Sequence, residues 1–217
     1  MRDDLRNMLA ARDGHFLVES GHHGDLWLDL ELLCLKPRLI RLLAIELATR
    51  LLPLEVEVVC GPLVEGAFVA LLVSTEMDVE FTYSERFSRP TESKLFPAGY
   101  RLPDSLRGSV RGRRVAIVND VINAGSAVRG TFEDLENCGA TVVALGTLLI
   151  LGTAAAEFAV RKGVALESLT TLPNNLWTPE TCPLCASNVP LEDVAGFSAD
   201  YTPLPLTPSV TLPLRKS

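Results

Sequence analysis

The sequence predicts an α/β fold with a central, mainly parallel sheet and flanking helices. Short apolar runs at 58–60, 115–118 and 142–151 are typical of strands that are buried on both faces of such a sheet. Helical patterns follow the first two of these runs. The chain has 217 residues, 47% of them hydrophobic, which is enough to bury one substantial core. We therefore expect a single domain over residues 1–200.

Other elements follow from the placement of apolar residues and prolines. Residues 3–11 form a predicted short helix, and strands come next. Pro37 begins a predicted long amphipathic helix, whose apolar face consists of Leu39, Leu42, Leu43, Leu47 and Leu51. Residues 201–217 are expected to form an extended tail, because prolines recur between Pro203 and Pro213.

The most informative segment joins the run 115–118 to an amphipathic helix. Asn119 and Asp120 follow the run, and Ser126 or Thr131 is placed to cap the helix. Open α/β sheets bind ligands at the carboxyl ends of their strands, and free backbone amides in a turn of small residues face an anion. An acid before such a turn therefore indicates a sugar phosphate with a metal nearby. The turn consists of Asn123, Ala124, Gly125, Ser126 and Ala127.

This segment, VAIVNDVINAGSAV, resembles the phosphoribosyl pyrophosphate (PRPP) signature of type I phosphoribosyltransferases, in which two acids precede a small-residue loop. The resemblance implies that Asp120 holds the ribose hydroxyls of PRPP and that the amides of residues 123–127 hold its 5′-phosphate. One position departs from the pattern, since Asn119 stands where the family usually has Asp or Glu. An amide can still bond a hydroxyl, but it carries no negative charge.

Three other segments look like orotate phosphoribosyltransferases, and with the PRPP loop they cover roughly residues 13–190. HFLVESGH and the LWLD that follows resemble the small N-terminal hood, at about 13–36, which we expect to be completed by the C-terminal part of the domain. Trp27 has the position of the aromatic residue that stacks on the base. The segment VVCGPLVEGA is similar to the pyrophosphate loop, which implies that Glu65 and Gly66 bind PRPP. FTYSER resembles the strand that enters the mobile catalytic loop, with Arg86 at the arginine position and Lys94 further along the loop.

The base site departs most from the orotate pattern. Glu19 stands where these enzymes usually have Lys, and residues 152–154 replace an acid-Arg pair that binds the orotate carboxylate. An unpaired buried carboxylate is costly, so a carboxylated base should bind poorly. We therefore expect weak orotate turnover and better use of a neutral or cationic heterocycle, with Glu19 and Trp27 beside the base. Trp27 also points away from the face of its neighbours Leu26 and Leu28, so it either stacks on the base or covers the core.

The resemblance implies transfer of the phosphoribosyl group from PRPP to a nitrogenous base with release of pyrophosphate, in pyrimidine biosynthesis. Asp120 and Arg86 would be catalytic, and Mg²⁺ would be carried by PRPP with no direct protein ligand. A homodimer is expected. The alternative is a regulatory protein that binds PRPP or a nucleotide without transfer, which Glu19, Glu65, Asn119 and the altered mobile loop favour.

Charge and hydropathy argue against other classes of protein. The formal net charge of −7 disfavours nucleic-acid binding, which needs clustered Lys and Arg. Residues 139–156 have no charged side chain, but Gly146 and Gly152 interrupt them, and 142–151 fits a buried strand better than a membrane span. With no signal peptide in evidence, we expect a cytoplasmic protein.

The five cysteines are an odd number, which fits a reducing compartment. The first three of them lie in apolar contexts and are expected in the core. Cys182 and Cys185 could share a metal or form a redox pair. Since no second such pair or paired histidines lie nearby, we expect a structural turn, with a metal site completed across a dimer as the alternative. His22 and His23 could act in acid-base chemistry or bind metal, but adjacent histidines in a polar turn are usually exposed. The core cysteines are Cys34, Cys60 and Cys138.

Overall fold

The central sheet confirms the predicted α/β fold. The computed structural model describes residues 11–88, 95 and 98–194. Six strands lie in the order β5-β4-β3-β6-β7-β8, all parallel except β5, which pairs antiparallel with β4. Their bounds are β3 Val58–Pro62, β4 Glu80–Ser88, β5 Ala98–Arg101, β6 Arg114–Ile122, β7 Thr141–Leu151 and β8 Ala165–Leu172.

Helices cover both faces of this sheet. They are α1 Glu31–Cys34, α2 Pro37–Leu51, α3 Glu65–Met77, α4 Ser126–Asn137, α5 Ala154–Lys162 and α6 Pro183–Ala186, with short 3₁₀ turns at Leu52–Leu54 and Pro179–Thr181. Side chains of successive strand residues point to opposite faces, which creates two separate apolar clusters. Helices α2 and α3 pack with Ala116 and Val118 of β6 in one cluster. Helices α4 and α5 pack with Val115 and Ile117 in the other.

Helix α2 begins at Pro37 as predicted, but its buried face differs by one leucine. Leu43, Leu47 and Leu51 are buried, whereas Leu42 is 66% exposed. Each residue turns the helix by about 100°, so Leu42 cannot share a narrow face with Leu43 and its successors. Ile40 takes that place in the core.

The hood is a three-stranded antiparallel sheet in the order β1-β2-β9. Strands β1 Arg12–Leu17 and β2 His23–Trp27 form a hairpin, and β9 Leu176–Trp177 pairs with β2. Near the last described residues, the Glu192 amide donates to the His15 carbonyl oxygen, and the Leu17 amide donates to the Glu192 carbonyl oxygen. Segments from both ends of the described chain therefore hold the hood together.

Strand β7 occupies most of the charge-free segment at 139–156, which confirms the predicted buried strand at 142–151. Within the part of the chain that the structure describes, no helix has both the length and the apolar character that a membrane span requires. The predicted helix at 3–11, apart from its last residue, and the tail at 201–217 lie outside the described residues. The domain boundary at residue 200 stays a prediction.

Candidate active site

A cavity of about 380 Å³ lies at the carboxyl ends of the central strands. Its walls are formed by the hood, by the turn between β3 and α3, and by the segment that joins β6 to α4. These segments meet because β3 and β6 are neighbours in the sheet and run in the same direction. Parallel neighbours bring their following loops to one edge, which is where open α/β sheets bind ligands.

All predicted site residues that the structure describes, except Arg86, line this cavity. Arg86 lies at its border, with Nε 3.5 Å from Oε2 of Glu19. Lys94 falls outside the described residues, so its role stays a prediction. The predicted residues in the walls are Glu19, Trp27, Glu65, Gly66, Asn119, Asp120, Asn123, Ala124, Gly125, Ser126 and Ala127.

Asp120 is a buried carboxyl group with one oxygen left over. It lies inside β6, two residues before the strand ends at Ile122. Its Oδ2 is buried and has no hydrogen-bond partner among the described residues. Burial, with the negative charges of Glu65 and Glu31, raises the pKa of Asp120 to about 7, although the Val121 amide acts in the opposite direction. A ligand hydroxyl would satisfy this oxygen and favour its ionised form.

The loop after β6 differs from the prediction in how the helix is capped. Gly125, with φ of 82°, occupies the N-cap position of α4, and no described side chain caps the helix. Ser126 instead donates its hydroxyl to Glu19 Oε1 at 3.0 Å. Thr131 lies inside the helix, with its hydroxyl 2.6 Å from that of Ser84. The left-handed glycine therefore starts α4 without a side-chain acceptor, which leaves its first amides available to an anion.

Asn119 uses its amide within the site. Its Nδ2 donates to the Val121 carbonyl oxygen at 2.7 Å. Its Oδ1 lies so close to Gly66 that a Cβ atom on that glycine would overlap it. A carboxylate at position 119 could not donate this hydrogen bond. The amide that replaces the acid of the family pattern therefore has a backbone acceptor, the Val121 carbonyl oxygen, that an acid could not use.

Replacing Asn119 with Asp should lower the melting temperature at neutral pH. The variant loses a buried donor and sets a carboxylate against the Val121 carbonyl oxygen, a cost of about 1–3 kcal/mol. Thermal unfolding followed by circular dichroism would measure it. Asn137→Asp, at an exposed position near the end of α4, is the matched control and should change less. Equal losses in the two variants would show that the amide at position 119 has no special role.

Glu19 joins the hood to the rest of the site. Its carboxylate accepts hydrogen bonds from Ser126 at 3.0 Å and from the Tyr100 hydroxyl at 3.0 and 3.1 Å, and it pairs with Arg86. Burial first, and then the Glu19 charge, raises the pKa of Tyr100, so that its hydroxyl stays a donor. Glu19 thereby occupies groups on the PRPP-like loop and on β4 that an anionic ligand would also use.

The cavity walls are acidic. They contain the carboxylates of Glu19, Glu31, Glu65 and Asp120, and none of the described lining residues is Lys, Arg or His. Arg129 lies behind the loop, where its Nε donates to the Ala124 carbonyl oxygen at 3.3 Å. The walls therefore repel a carboxylate-bearing ligand unless a cation accompanies it.

Trp27 lies on β2 at the hood side of the cavity. Its Nε1 donates to Asp29 Oδ1 at 2.8 Å, which orients the indole. Leu26 and Leu28 are buried in the core, as the predicted alternation requires. The ring of Trp27 lies 6.0 Å from that of Phe16, so it both covers the hood core and faces the cavity.

The cysteines and histidines outside the cavity correct three expectations. Cys60 and Cys138 are buried as predicted, whereas Cys34 is only partly buried. His23 is 6% exposed, so the expectation that both adjacent histidines are exposed was wrong for this one. Paired histidines do lie near the cysteine pair, because the β1-β2 hairpin brings His15 and His23 to it. The only sequence signal was that both histidines belong to strands of one hairpin.

Comparison with known proteins supports these observations. The family model described as phosphoribosyl transferase domain matches residues 35–176. The orotate phosphoribosyltransferase of Pelotomaculum thermopropionicum is 30% identical over 181 residues, 83% of this chain and 88% of that protein. The Thermotoga maritima orotate phosphoribosyltransferase is 29% identical over 192 residues, 88% of this chain and 95% of that protein.

A solved structure has the same fold. The Mycobacterium tuberculosis orotate phosphoribosyltransferase in complex with PRPP superposes with a TM-score of 0.52 at 20% identity, over 67% of this chain and 81% of that one. The family match covers well over half of the chain and spans β3, β6 and the loops that form the cavity. The chain therefore belongs to the phosphoribosyl transferase domain family, among the type I enzymes that include the orotate phosphoribosyltransferases.

Proposed function

We propose that the cavity binds PRPP and that the chain transfers its phosphoribosyl group to a nitrogenous base, with release of pyrophosphate. One observation carries the proposal: Asp120, whose Oδ2 has no partner among the described residues, and the uncapped start of α4 line the same cavity. The first is suited to a hydroxyl donor, and the second to an anion. A sugar phosphate supplies both groups in one molecule.

Each predicted residue then has a distinct role. Asp120 accepts hydrogen bonds from the ribose hydroxyls, while the amides of residues 123–127 bind the 5′-phosphate. The Asn174 Nδ2 donates to the Asn123 Oδ1 at 2.8 Å, and this hydrogen bond restricts the position of the loop. Preorganised donors of this kind favour the bound state because they need no further ordering.

The leaving group would lie toward the turn after β3. Glu65 and Gly66 begin α3, and a side chain at Gly66 would overlap Asn119, so only glycine leaves this turn open. Arg86 at the end of β4 would approach the pyrophosphate once it is released from Glu19, and Lys94 would join it. Positive charge at this place stabilises the charge that develops on pyrophosphate as the bond to ribose breaks.

The residues present fit a magnesium ion that arrives with PRPP. The buried Oδ2 of Asp120 and the carboxylates of Glu31 and Glu65 give the cavity an excess of negative charge. Mg²⁺ would neutralise charge on the pyrophosphate and on the ribose oxygens. The acidic walls would otherwise repel PRPP, so we expect its binding to depend on the cation.

The base is expected to be neutral or cationic. Trp27 offers an aromatic face on the hood side, and the described lining residues supply no cation for a carboxylate. The Thr153 hydroxyl, near where an acid-Arg pair is usual, donates instead to Glu157 at 2.8 Å. A pyrimidine or related heterocycle without a carboxylate would fit better than orotate. We also propose a homodimer in the cytoplasm.

A direct comparison of bases tests the function. Pyrophosphate release from PRPP should be measured with Mg²⁺ and orotate, and with neutral and cationic heterocycles at equal concentration. We expect release with at least one of the latter and little with orotate, because the walls are acidic. Orotate turnover of roughly 10 per second, which is typical of enzymes, would contradict the base assignment.

Binding separates the enzyme from the regulatory alternative. Calorimetric titration with PRPP and Mg²⁺ should show binding whether or not a base is turned over. Binding without pyrophosphate release for any base would favour the regulator that senses PRPP. The absence of binding would contradict the proposal that the cavity is a PRPP site.

A further inference from the structure

We propose that His15, His23, Cys182 and Cys185 form a tetrahedral zinc site. It would fasten residues 178–192, the C-terminal segment, to the hood. The four ligand atoms all lie within 4.8 Å of one another. Two come from the β1-β2 hairpin and two from the turn around α6. The site is separate from the cavity, because none of the four residues lines it.

The distances match a tetrahedral zinc centre. His15 Nε2 lies 3.1 Å from His23 Nδ1, 3.3 Å from Cys182 Sγ and 3.8 Å from Cys185 Sγ. Cys185 Sγ lies 3.3 Å from His23 Nδ1. Zinc bonds of about 2.0–2.1 Å to nitrogen and about 2.3 Å to sulfur put tetrahedral ligand atoms about 3.3–3.8 Å apart. The side chains therefore surround a space of the size that Zn²⁺ needs.

A further contact orients one histidine for the metal. The His15 Nδ1 lies 2.9 Å from the Val189 carbonyl oxygen, which can only accept a hydrogen bond. Nδ1 must therefore carry the proton, and the lone pair lies on Nε2, the atom that faces both cysteines. Metal-ligating histidines typically donate their other ring N–H to a backbone carbonyl in this way.

The burial of the cluster favours a bound metal ion. His15, His23 and Cys182 are 1%, 6% and 3% exposed, so their polar atoms are removed from water. Cys185 is exposed and leaves a path for the ion to enter. Two thiols and two imidazoles bond one another weakly, whereas two thiolates and two neutral imidazoles satisfy Zn²⁺ completely.

The local backbone suits chelation. Cys182 precedes α6, and the Ala186 amide donates to the Cys182 carbonyl oxygen, which turns the chain so that both sulfurs point the same way. A spacing of two residues between cysteines is usual in structural zinc sites. With this set of ligands we propose a metal site in place of the metal-free turn that the sequence led us to expect, since the ligands missing from the neighbouring sequence come from β1 and β2.

Such a site would set the position of the hood. His23 begins β2, the strand that ends at Trp27 on the cavity wall, and β2 also pairs with β9. A metal bond between His23 and the two cysteines would therefore fix the position of the C-terminal segment and of β2, which forms one wall of the cavity.

Metal analysis of the untagged, reduced full-length chain tests the site. Elemental analysis by mass spectrometry should find about one zinc per chain, and a strong chelator should remove it and lower the melting temperature. Metal-free protein titrated with Co²⁺ should show the visible bands of tetrahedral cobalt together with thiolate-to-cobalt charge transfer. Added Zn²⁺ should abolish both signals.

Matched variants make the result specific. Cys185→Ser, at an exposed position, should lose the cobalt charge-transfer band or reduce it by half and should weaken zinc binding at least tenfold. Cys138→Ser and His22→Gln, which change the same residue types outside the cluster, should keep one zinc and the full cobalt spectrum. Zinc binding that survives unchanged in Cys185→Ser would overturn the proposal.

Two other outcomes would also overturn it. One is a reduced protein that contains no zinc, takes up no Co²⁺ and keeps its melting temperature when Zn²⁺ is added. The other is a disulfide between Cys182 and Cys185 in freshly prepared protein, detected by intact mass before and after reduction, with no metal uptake once it is reduced. That result would identify a redox pair instead.

Discussion

Replacing Asp120 with Asn is expected to weaken PRPP binding by about 10- to 100-fold and, at the same time, to stabilise the protein above pH 7. The loss of affinity follows from one hydrogen bond between a ribose hydroxyl and a charged acceptor, which contributes about 1.5–3 kcal/mol. Inorganic phosphate should bind almost unchanged, because it would contact the loop amides and not the carboxylate. Titration calorimetry with both ligands would compare them.

The gain in stability follows from the raised pKa. The pKa of Asp120 lies at about 7, above its ordinary value of 3.8, so the folded protein holds this proton more tightly than the unfolded chain does. The contribution of Asp120 to the free energy of unfolding is therefore largest below pH 3.8. It decreases as the pH rises to about 7 and stays low at higher pH. The difference corresponds to about 4 kcal/mol, at about 1.4 kcal/mol for each pKa unit.

An amide has no proton to lose, so the variant should lack this fall. Melting temperatures measured between pH 4 and pH 8 should therefore diverge, with Asp120→Asn above the original protein by several degrees at the upper end. Asp104→Asn, an exposed position, is the control and should give parallel curves. A variant that is destabilised at pH 8, or that loses phosphate and PRPP equally, would contradict the role of Asp120.

The same pKa predicts how binding depends on pH. The ribose hydroxyls donate hydrogen bonds, and the ionised carboxylate accepts them better than the protonated one. PRPP affinity should therefore increase as the pH rises through 7 in the original protein and stay flat in Asp120→Asn. The function and the stability of the fold thus make opposite demands on this one residue.

The sequence alone was enough to predict the sheet and the cavity, because both depend on local patterns. The run 115–118 had to be a buried strand, and a turn of small residues after it could only lie at the strand's carboxyl end. The position of Asp120 followed directly. Within the charge-free segment at 139–156, the part at 142–151 was identifiable as a buried strand and not as part of a membrane span, because glycines interrupt the segment.

What the sequence did not predict depends on residues that are distant along the chain. His15 and Cys182 are 167 positions apart, and their segments meet through the pairing of β2 with β9 and the hydrogen bonds between Glu192 and β1. The contacts of Asn119 were missed for a different reason. From the sequence, the amide at position 119 was interpreted only as the loss of a negative charge. The structure shows that it also donates a hydrogen bond to the Val121 carbonyl oxygen.

Capping was missed because two rules competed. Ser126 has the side chain of an N-cap residue, but Gly125 before it adopts the left-handed conformation and starts the helix instead. The serine hydroxyl is then left to bond Glu19, a residue 107 positions away. The sequence showed Glu19 only as a missing lysine, whereas the structure shows it as the partner of three groups around the cavity.

Glu19 leads to the second large effect: Glu19→Gln is expected to tighten PRPP binding about tenfold. The carboxylate lies 3.0 Å from the Ser126 hydroxyl and 3.5 Å from Arg86 Nε, so it occupies groups that we expect to serve the phosphates. Two like charges about 4 Å apart near a protein surface repel by about 4 kcal/mol. Removing the charge should therefore offset the lost contacts with Ser126 and Tyr100 and still leave a gain.

Affinity should be measured by titration of PRPP with Mg²⁺ at low and high salt, since screening weakens this repulsion and the gain should shrink with salt. Glu80→Gln removes the same charge from an exposed pair with Arg113, far from the cavity, and should leave PRPP affinity unchanged. Glu19→Lys extends the test to the base, because it restores the cation that orotate enzymes usually have at this position, and it should improve orotate binding if the missing charge is the cause. Weaker PRPP binding by Glu19→Gln would instead mean that the carboxylate is needed to hold Ser126 and Arg86 in place, so that Glu19 orders the site and does not compete with its ligand.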